Sequence, residues 1–207
     1  MRLEIAFLVA AGCMQAQDAA MKAIDRALGV ECVHCHTIDD WKKDDKPPFA
    51  FAGRMMKMVD GVNAGTLRGI GAVTCWSCHR GNAKPARMPR AGWEERLAKW
   101  PEALKLSAED AKKPAREVYH NVQAMANAPA GGLAMTMSVF AAALGVSCEH
   151  CHVAGHWESD DKAAKRTARV MLRLFDEIPG YFEKSRQPGM QCYTCHQGSV
   201  MVAREPA

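Results

Sequence analysis

Eight of the nine cysteines in this 207-residue chain fall into four pairs, and each pair runs directly into a histidine. The strings are CVHCH (Cys32, Cys35, His36), CWSCH (Cys75, Cys78, His79), CEHCH (Cys148, Cys151, His152) and CYTCH (Cys192, Cys195, His196). Cys-x-x-Cys-His is the attachment signal for c-type haem. The two thiols add across the two vinyl groups of one porphyrin, and the adjacent imidazole meets the iron from one face. Four Cys-x-x-Cys pairs could also build two Cys₄ zinc sites, act as redox dithiols or form a secreted disulfide framework. None of these needs a histidine after the second cysteine. Histidine is 8 of 207 residues, so its chance appearance there four times has a probability on the order of one in a few hundred thousand. The pattern predicts four covalently bound haem c groups.

An iron held on one face by His36, His79, His152 or His196 needs a ligand on the other face or stays open for chemistry. Methionine thioether is soft and favours ferrous iron, so His/Met ligation raises the reduction potential. The chain has 13 methionines. Met21 stands eleven residues before Cys32 and Met137 eleven before Cys148, while Met55 stands twenty before Cys75 and Met171 twenty-one before Cys192. These four are the expected axial partners. Ordinary helix packing is the competing use of such methionines, and Met56 and Met58 compete with Met55 within a turn. His34, His120, His150 and His156 read as solvated or propionate-pairing groups.

The elements that must position these residues are written twice. MKAIDRALGVECVHCH (21–36) is matched by MSVFAAALGVSCEHCH (137–152), with Met21 and Met137, Leu28 and Leu144, Cys32 and Cys148, and Trp41 and Trp157 all 116 apart. After one inserted residue the offset becomes 117 and relates Cys75 to Cys192. The expected organisation is two duplicated diheme halves, 17–90 and 130–207, joined by a helical linker at 91–129. Each half should run helix, haem loop, helix, haem loop, in an all-α fold with few strands. Residues 15–28 are rich in helix formers and stop at Gly29, and 135–144 stop at Gly145. Residues 50–62 and 162–178 supply the second helix of each half, the latter ending at Pro179. In the linker, 94–100 and 107–127 have helical composition, with Ser107 and Asp110 as a capping box and Pro114 as a break.

Covalent haem attachment in bacteria takes place outside the cytoplasmic membrane, so an export signal is expected. Residues 1–16 supply one: Arg2, an apolar stretch from Ile5 to Gly12, then small residues. Ala10-Ala11-Gly12-Cys13 resembles a lipoprotein processing site, which would make Cys13 the lipidated first residue of the mature chain. The alternatives are removal of Cys13 with a signal cleaved after Ala16, or an unmodified thiol. No apolar run approaches the ~18 residues of a spanning helix. The expected location is the periplasmic side of the cell membrane, with Cys13 as the candidate for a lipid anchor.

The formal charge is +4, from 27 basic and 23 acidic residues. Each ferric c-haem adds roughly −1, two propionates against one net positive charge at the iron centre. The loaded protein is therefore near neutral when oxidised, and the charge makes no case for a nucleic-acid partner.

These features together resemble the tetrahaem cytochrome c subunit of the purple-bacterial type photosynthetic reaction centre. The resemblance covers most of residues 17–203. It rests on Leu28-Gly29-Val30 before CVHCH, on RMMKMVDGVN (54–63) and VTCWSCHRG (73–81), and on LGV-x-CEHCH and CYTCHQG. It implies that Met21, Met55 and Met137 ligate the first, second and third haems. Members of that family commonly use a histidine from the loop before the second motif for the fourth haem. Here that loop is Leu67-Arg68-Gly69-Ile70-Gly71 and has none, so Met171 is the expected fourth ligand. The chain is also shorter than the usual subunit.

The resemblance implies a non-enzymatic electron carrier. It would take electrons from a soluble donor such as a small cytochrome and re-reduce the photo-oxidised bacteriochlorophyll pair of a membrane partner. The alternative is a periplasmic carrier serving a respiratory complex. A multihaem reductase, of the nitrite or hydroxylamine kind, is the lesser alternative, because it needs an iron with an open site and acid/base residues around it.

Overall fold

The computed structural model describes residues 19–206, with 39, 44 and 188 excepted; the expected signal segment at 1–16, with the lipidation candidate Cys13, lies outside the described residues. The fold is all-helical. The helices are α1 (19–28), α2 (Pro47–Ala64), α3 (Cys75–His79), α4 (Arg90–Ala98), α5 (Ala115–Val118), α6 (Gly132–Leu144), α7 (Ala163–Leu172), α8 (Leu174–Glu177) and α9 (Cys192–His196). Short 3₁₀ turns join several of them, and the β-pairing among the described residues consists of isolated bridges such as Thr37 to Asp40 and Val153 to His156.

The glycine stops are where the sequence puts them. α1 ends at Leu28 and α6 at Leu144, and the next residues, Gly29 (φ +64°) and Gly145 (φ +67°), are left-handed, a backbone state that glycine takes without a Cβ penalty. Each stop also brings two backbones together. Gly81 N donates to Ala27 O at 2.8 Å, and Gly198 N to Ala143 O at 2.8 Å. The loop after the second motif is thus strapped to the end of α1, and the loop after the fourth to the end of α6.

Other expected elements differ in extent. α2 begins earlier than residue 50, because Pro47 and Pro48 occupy its first positions, where a missing N–H costs nothing. The stretch 162–178 is not one helix but α7, α8 and a 3₁₀ turn, Ile178–Tyr181. The ladder tightens at Arg173, whose N–H bonds Val170 O, ahead of Pro179, which has no N–H to continue it. In the linker, the first helix is α4 at 90–98 rather than 94–100; it ends short of Trp100, the residue before Pro101, where the helical region is disfavoured.

The larger correction concerns 107–127, which is mostly loop. Ser107 and Asp110 do interact, with Asp110 N donating to Ser107 Oγ at 3.0 Å, but only a 3₁₀ turn at Asp110–Lys112 and the single turn α5 follow. The backbone there pairs across the loop instead: Ala115 N to Ala128 O, Arg116 N to Ala126 O and Ala130 N to Lys113 O. Helical composition lost to these tertiary pairings once Pro114 had interrupted the local ladder.

The protein interior is thin. Among the described residues one cluster of large side chains is buried, Val62, Leu67, Ile178 and Phe182, where α2 meets the turn after α8, and the other buried apolar residues are alanines. Among the described residues ten large apolar side chains are exposed, Trp41, Phe175 and Met201 among them, apolar surface available to something other than the polypeptide.

Gly61 is what lets the cluster close. A Cβ built there would lie 1.8 Å from the Tyr181 hydroxyl oxygen. Gly61→Ala should therefore push α2 off that turn at a cost of about 1–3 kcal/mol, measurable as a lowered denaturation midpoint. Gly53→Ala, on the same helix with nothing within 4 Å of the new carbon, should be neutral or slightly stabilising.

Candidate haem-binding sites

The four motifs take two local forms. The first and third are 3₁₀ turns, Cys32–His34 and Cys148–His150. The second and fourth are the single-turn helices α3 and α9, in which Thr74 N donates to Ser77 Oγ and Gln191 N to Thr194 Oγ1, each at 3.0 Å. The residues that follow α3 and α9, Arg80 and Gln197, both have φ +46°.

All four motif histidines are oriented in the same manner. His36 Nδ1 lies 2.7 Å from Trp41 O, His79 Nδ1 2.9 Å from Asn82 O, His152 Nδ1 2.8 Å from Trp157 O and His196 Nδ1 3.0 Å from Ser199 O. A carbonyl only accepts, so each Nδ1 carries the hydrogen and each Nε2 keeps its lone pair. This is the arrangement that fixes the tautomer and ring direction of a metal-binding imidazole. Burial holds the His152 and His196 pKa values below the usual histidine range, which keeps the imidazoles neutral and able to ligate.

Lysines clamp the turns around the first and third motifs. Lys46 Nζ donates to Val33 O at 2.6 Å and His36 O at 2.8 Å, and Lys162 Nζ donates to Glu149 O. The sequence did not single these out as site residues; the retained Lys at a spacing of 116 was the available signal.

The sulfurs bear on the competing chemistries. Cys35, Cys75, Cys151 and Cys192 have thiols pushed up by burial, the opposite of a reactive dithiol, whose thiolate is stabilised. Among the described residues no group of three or more His, Cys, Asp or Glu converges as a metal site, so the Cys₄ zinc arrangement lacks its ligand set. Cys78 and Cys195 are bonded to each other, with Cα atoms 4.2 Å apart. The residues fit four haems in donor type, tautomer and spare apolar surface, with one condition. Attachment at both the second and the fourth motif requires Cys78 and Cys195 as separate thiols.

The methionines are distributed unevenly. Met55 and Met171 are half-buried against the Val62 cluster, together with Met58 and Met190. Met137 is half-buried on α6, and Met21 is exposed on α1. His34, His120, His150 and His156 are exposed. An open cleft of about 700 Å³ runs beside α6 and α7, lined in part by Thr136, Phe140, Arg169 and Leu172. It offers apolar walls together with two arginines, Arg169 and Arg173, and the Asp176 carboxylate.

A family model described as photosynthetic reaction centre cytochrome C subunit matches residues 13–97 and again residues 90–204. The chain belongs to that family. The curated relatives agree. The photosynthetic reaction center cytochrome c subunit of Thermochromatium tepidum is 35% identical over 98 residues, 45% of this chain and 24% of the relative. That of Rubrivivax gelatinosus (strain NBRC 100245 / IL144) is 26% identical over 218 aligned positions, 81% of this chain and 57% of the relative. The cytochrome therefore spans about half or less of the length of these relatives. No helix among the described residues is long and apolar enough to cross a membrane.

Proposed function

We propose that this cytochrome carries four covalent haem c groups in two duplicated diheme halves and passes electrons to a photosynthetic reaction centre on the periplasmic side of the membrane. The carrying observation is the shared orientation of His36, His79, His152 and His196, each with Nδ1–H held by a backbone carbonyl. Each haem, when bound, supplies a one-electron iron couple. The chain supplies eight thioether sulfurs, four neutral imidazoles and, from Met21, Met55, Met137 and Met171, the opposing sulfurs that favour the reduced state.

Duplication is supported by the paired geometry. The strap from Gly81 to Ala27 is repeated from Gly198 to Ala143, and Trp41 O and Trp157 O receive the histidines of the first and third motifs. The same contacts support a spatial order of sites. The second motif lies against the end of α1, which leads into the first, and the fourth lies against the end of α6, which leads into the third. The second and fourth meet each other, where Arg80 Nη2 donates to Cys195 O at 3.2 Å. The order is then first, second, fourth, third, with entry and exit at the first and third.

Flash excitation of membranes that hold this cytochrome with its reaction centre should bleach the haem α-band within the lifetime of the oxidised pigment pair. Absence of light-driven bleaching in a fully haem-loaded preparation would assign the carrier to a respiratory partner instead.

A further inference from the structure

Lys165, the first buried charge after the third motif, occupies the place that Phe49 takes after the first, 116 residues earlier. Phe49 packs edge-on against His36, ring centroids 5.2 Å apart. Lys165 is only 9% exposed, and its ammonium reaches Trp157 O at 2.9 Å, Ser159 O at 2.8 Å and the Asp160 carboxylate at 3.4 Å. Trp157 O is the carbonyl that already accepts the His152 Nδ1–H at 2.8 Å. One carbonyl oxygen is thus shared between the imidazole of the third motif and a buried cation.

We infer that Lys165 is a positioning residue for the third haem, raising its reduction potential by competing with His152 for the Trp157 carbonyl and by placing positive charge behind the imidazole. This rests on the tetrahaem reading above. Two donors on one acceptor weaken each other, because a carbonyl already polarised toward an ammonium gives less to a second N–H. A weaker Nδ1–H bond leaves the imidazole a poorer electron donor at Nε2, which favours the reduced iron. The added charge has the same sign of effect, since it opposes the extra positive charge of the oxidised state.

The neighbouring charges do not cancel it. Asp160 is shared with Arg169 at 2.6 Å, so two cations face one carboxylate. Lys162 adds a third cation at the third motif, where it donates to Glu149 O. In the first motif the places of Lys165 and Arg169 are held by Phe49 and Gly53, and His36 shares its carbonyl with no described cation.

The test is a redox titration of the loaded protein, following each haem by its α-band. Lys165→Met should lower the reduction equilibrium of one haem about tenfold, equal to about 59 mV for a one-electron couple, leaving the other three in place. Met137→His should move that same wave, and Lys165→Arg should keep it near the parent position. Phe49→Lys should shift a different wave, that of the first haem, upward; this variant carries the test if Lys165→Met does not fold. Four unchanged midpoints, or four that move together, would overturn the role of Lys165. A parent protein with fewer than four haems would overturn the tetrahaem reading beneath it.

Discussion

Gly145→Ala should cost this cytochrome about 1.5–3.5 kcal/mol of stability and loosen the fourth motif from α6. Two terms add. An alanine at φ +67° pays roughly 1–2 kcal/mol for the left-handed backbone. Its Cβ would also lie 2.1 Å from the Gly198 carbonyl oxygen, and a backbone atom cannot rotate away as a side chain can. The strap from Gly198 N to Ala143 O, now 2.8 Å, would have to open, losing about 0.5–1.5 kcal/mol more. Gly29→Ala meets Gly81 O at the same 2.1 Å and should do the same to the second motif. Gly132→Ala, at the start of α6 with nothing within 4 Å, is the control and should be neutral. Denaturant unfolding of the loaded protein measures all three, and haem content of each purified variant reports whether the motif still forms. Equal stability of Gly145→Ala and Gly132→Ala would mean that the strap does not hold the fourth site.

Met137→His should lower the midpoint of the third haem by a substantial part of the roughly 0.8 V that axial ligands span. A thioether is a soft, weak donor that favours ferrous iron and binds ferric iron poorly, while a second imidazole stabilises the ferric state. Met137 is half-buried on α6, beside rather than among its buried residues Ser138, Ala142 and Ala143, so the effect is not that of removing a core residue. Met135→Leu, at a side chain 45% exposed on the same helix, should leave every midpoint where it was. A Met137→His protein with the parent midpoints and an unaltered thioether-to-iron charge-transfer band would make Met137 a packing residue.

Much of this was legible in the residues themselves. Gly29 and Gly145 end helices by a rule that needs no tertiary knowledge, and the Cys and His identities and spacing are the local pattern on which the proposed haem chemistry rests. Trp41 and Trp157 were visible as retained partners, although not that their backbone carbonyls, rather than their rings, hold His36 and His152. The reading of 107–127 as helix failed because composition cannot anticipate that Ala115, Arg116 and Ala130 find carbonyl partners across a loop. Lys165 escaped notice for a related reason: a lysine on a helix reads as solvated until its ammonium is seen turned inward onto Trp157 O and Ser159 O. The meeting of Cys78 with Cys195 spans 117 residues, and no local pattern encodes it.

That meeting makes one measurement decisive. Intact mass of the mature cytochrome, taken without reductant, reads both the number of haems and the state of every cysteine. Four covalent haem additions, with Cys78 and Cys195 each recovered on a haem-bearing peptide, is the predicted result. A protein that stops at three or fewer haems, or that yields a peptide joining Cys78 to Cys195 by a disulfide, would contradict it.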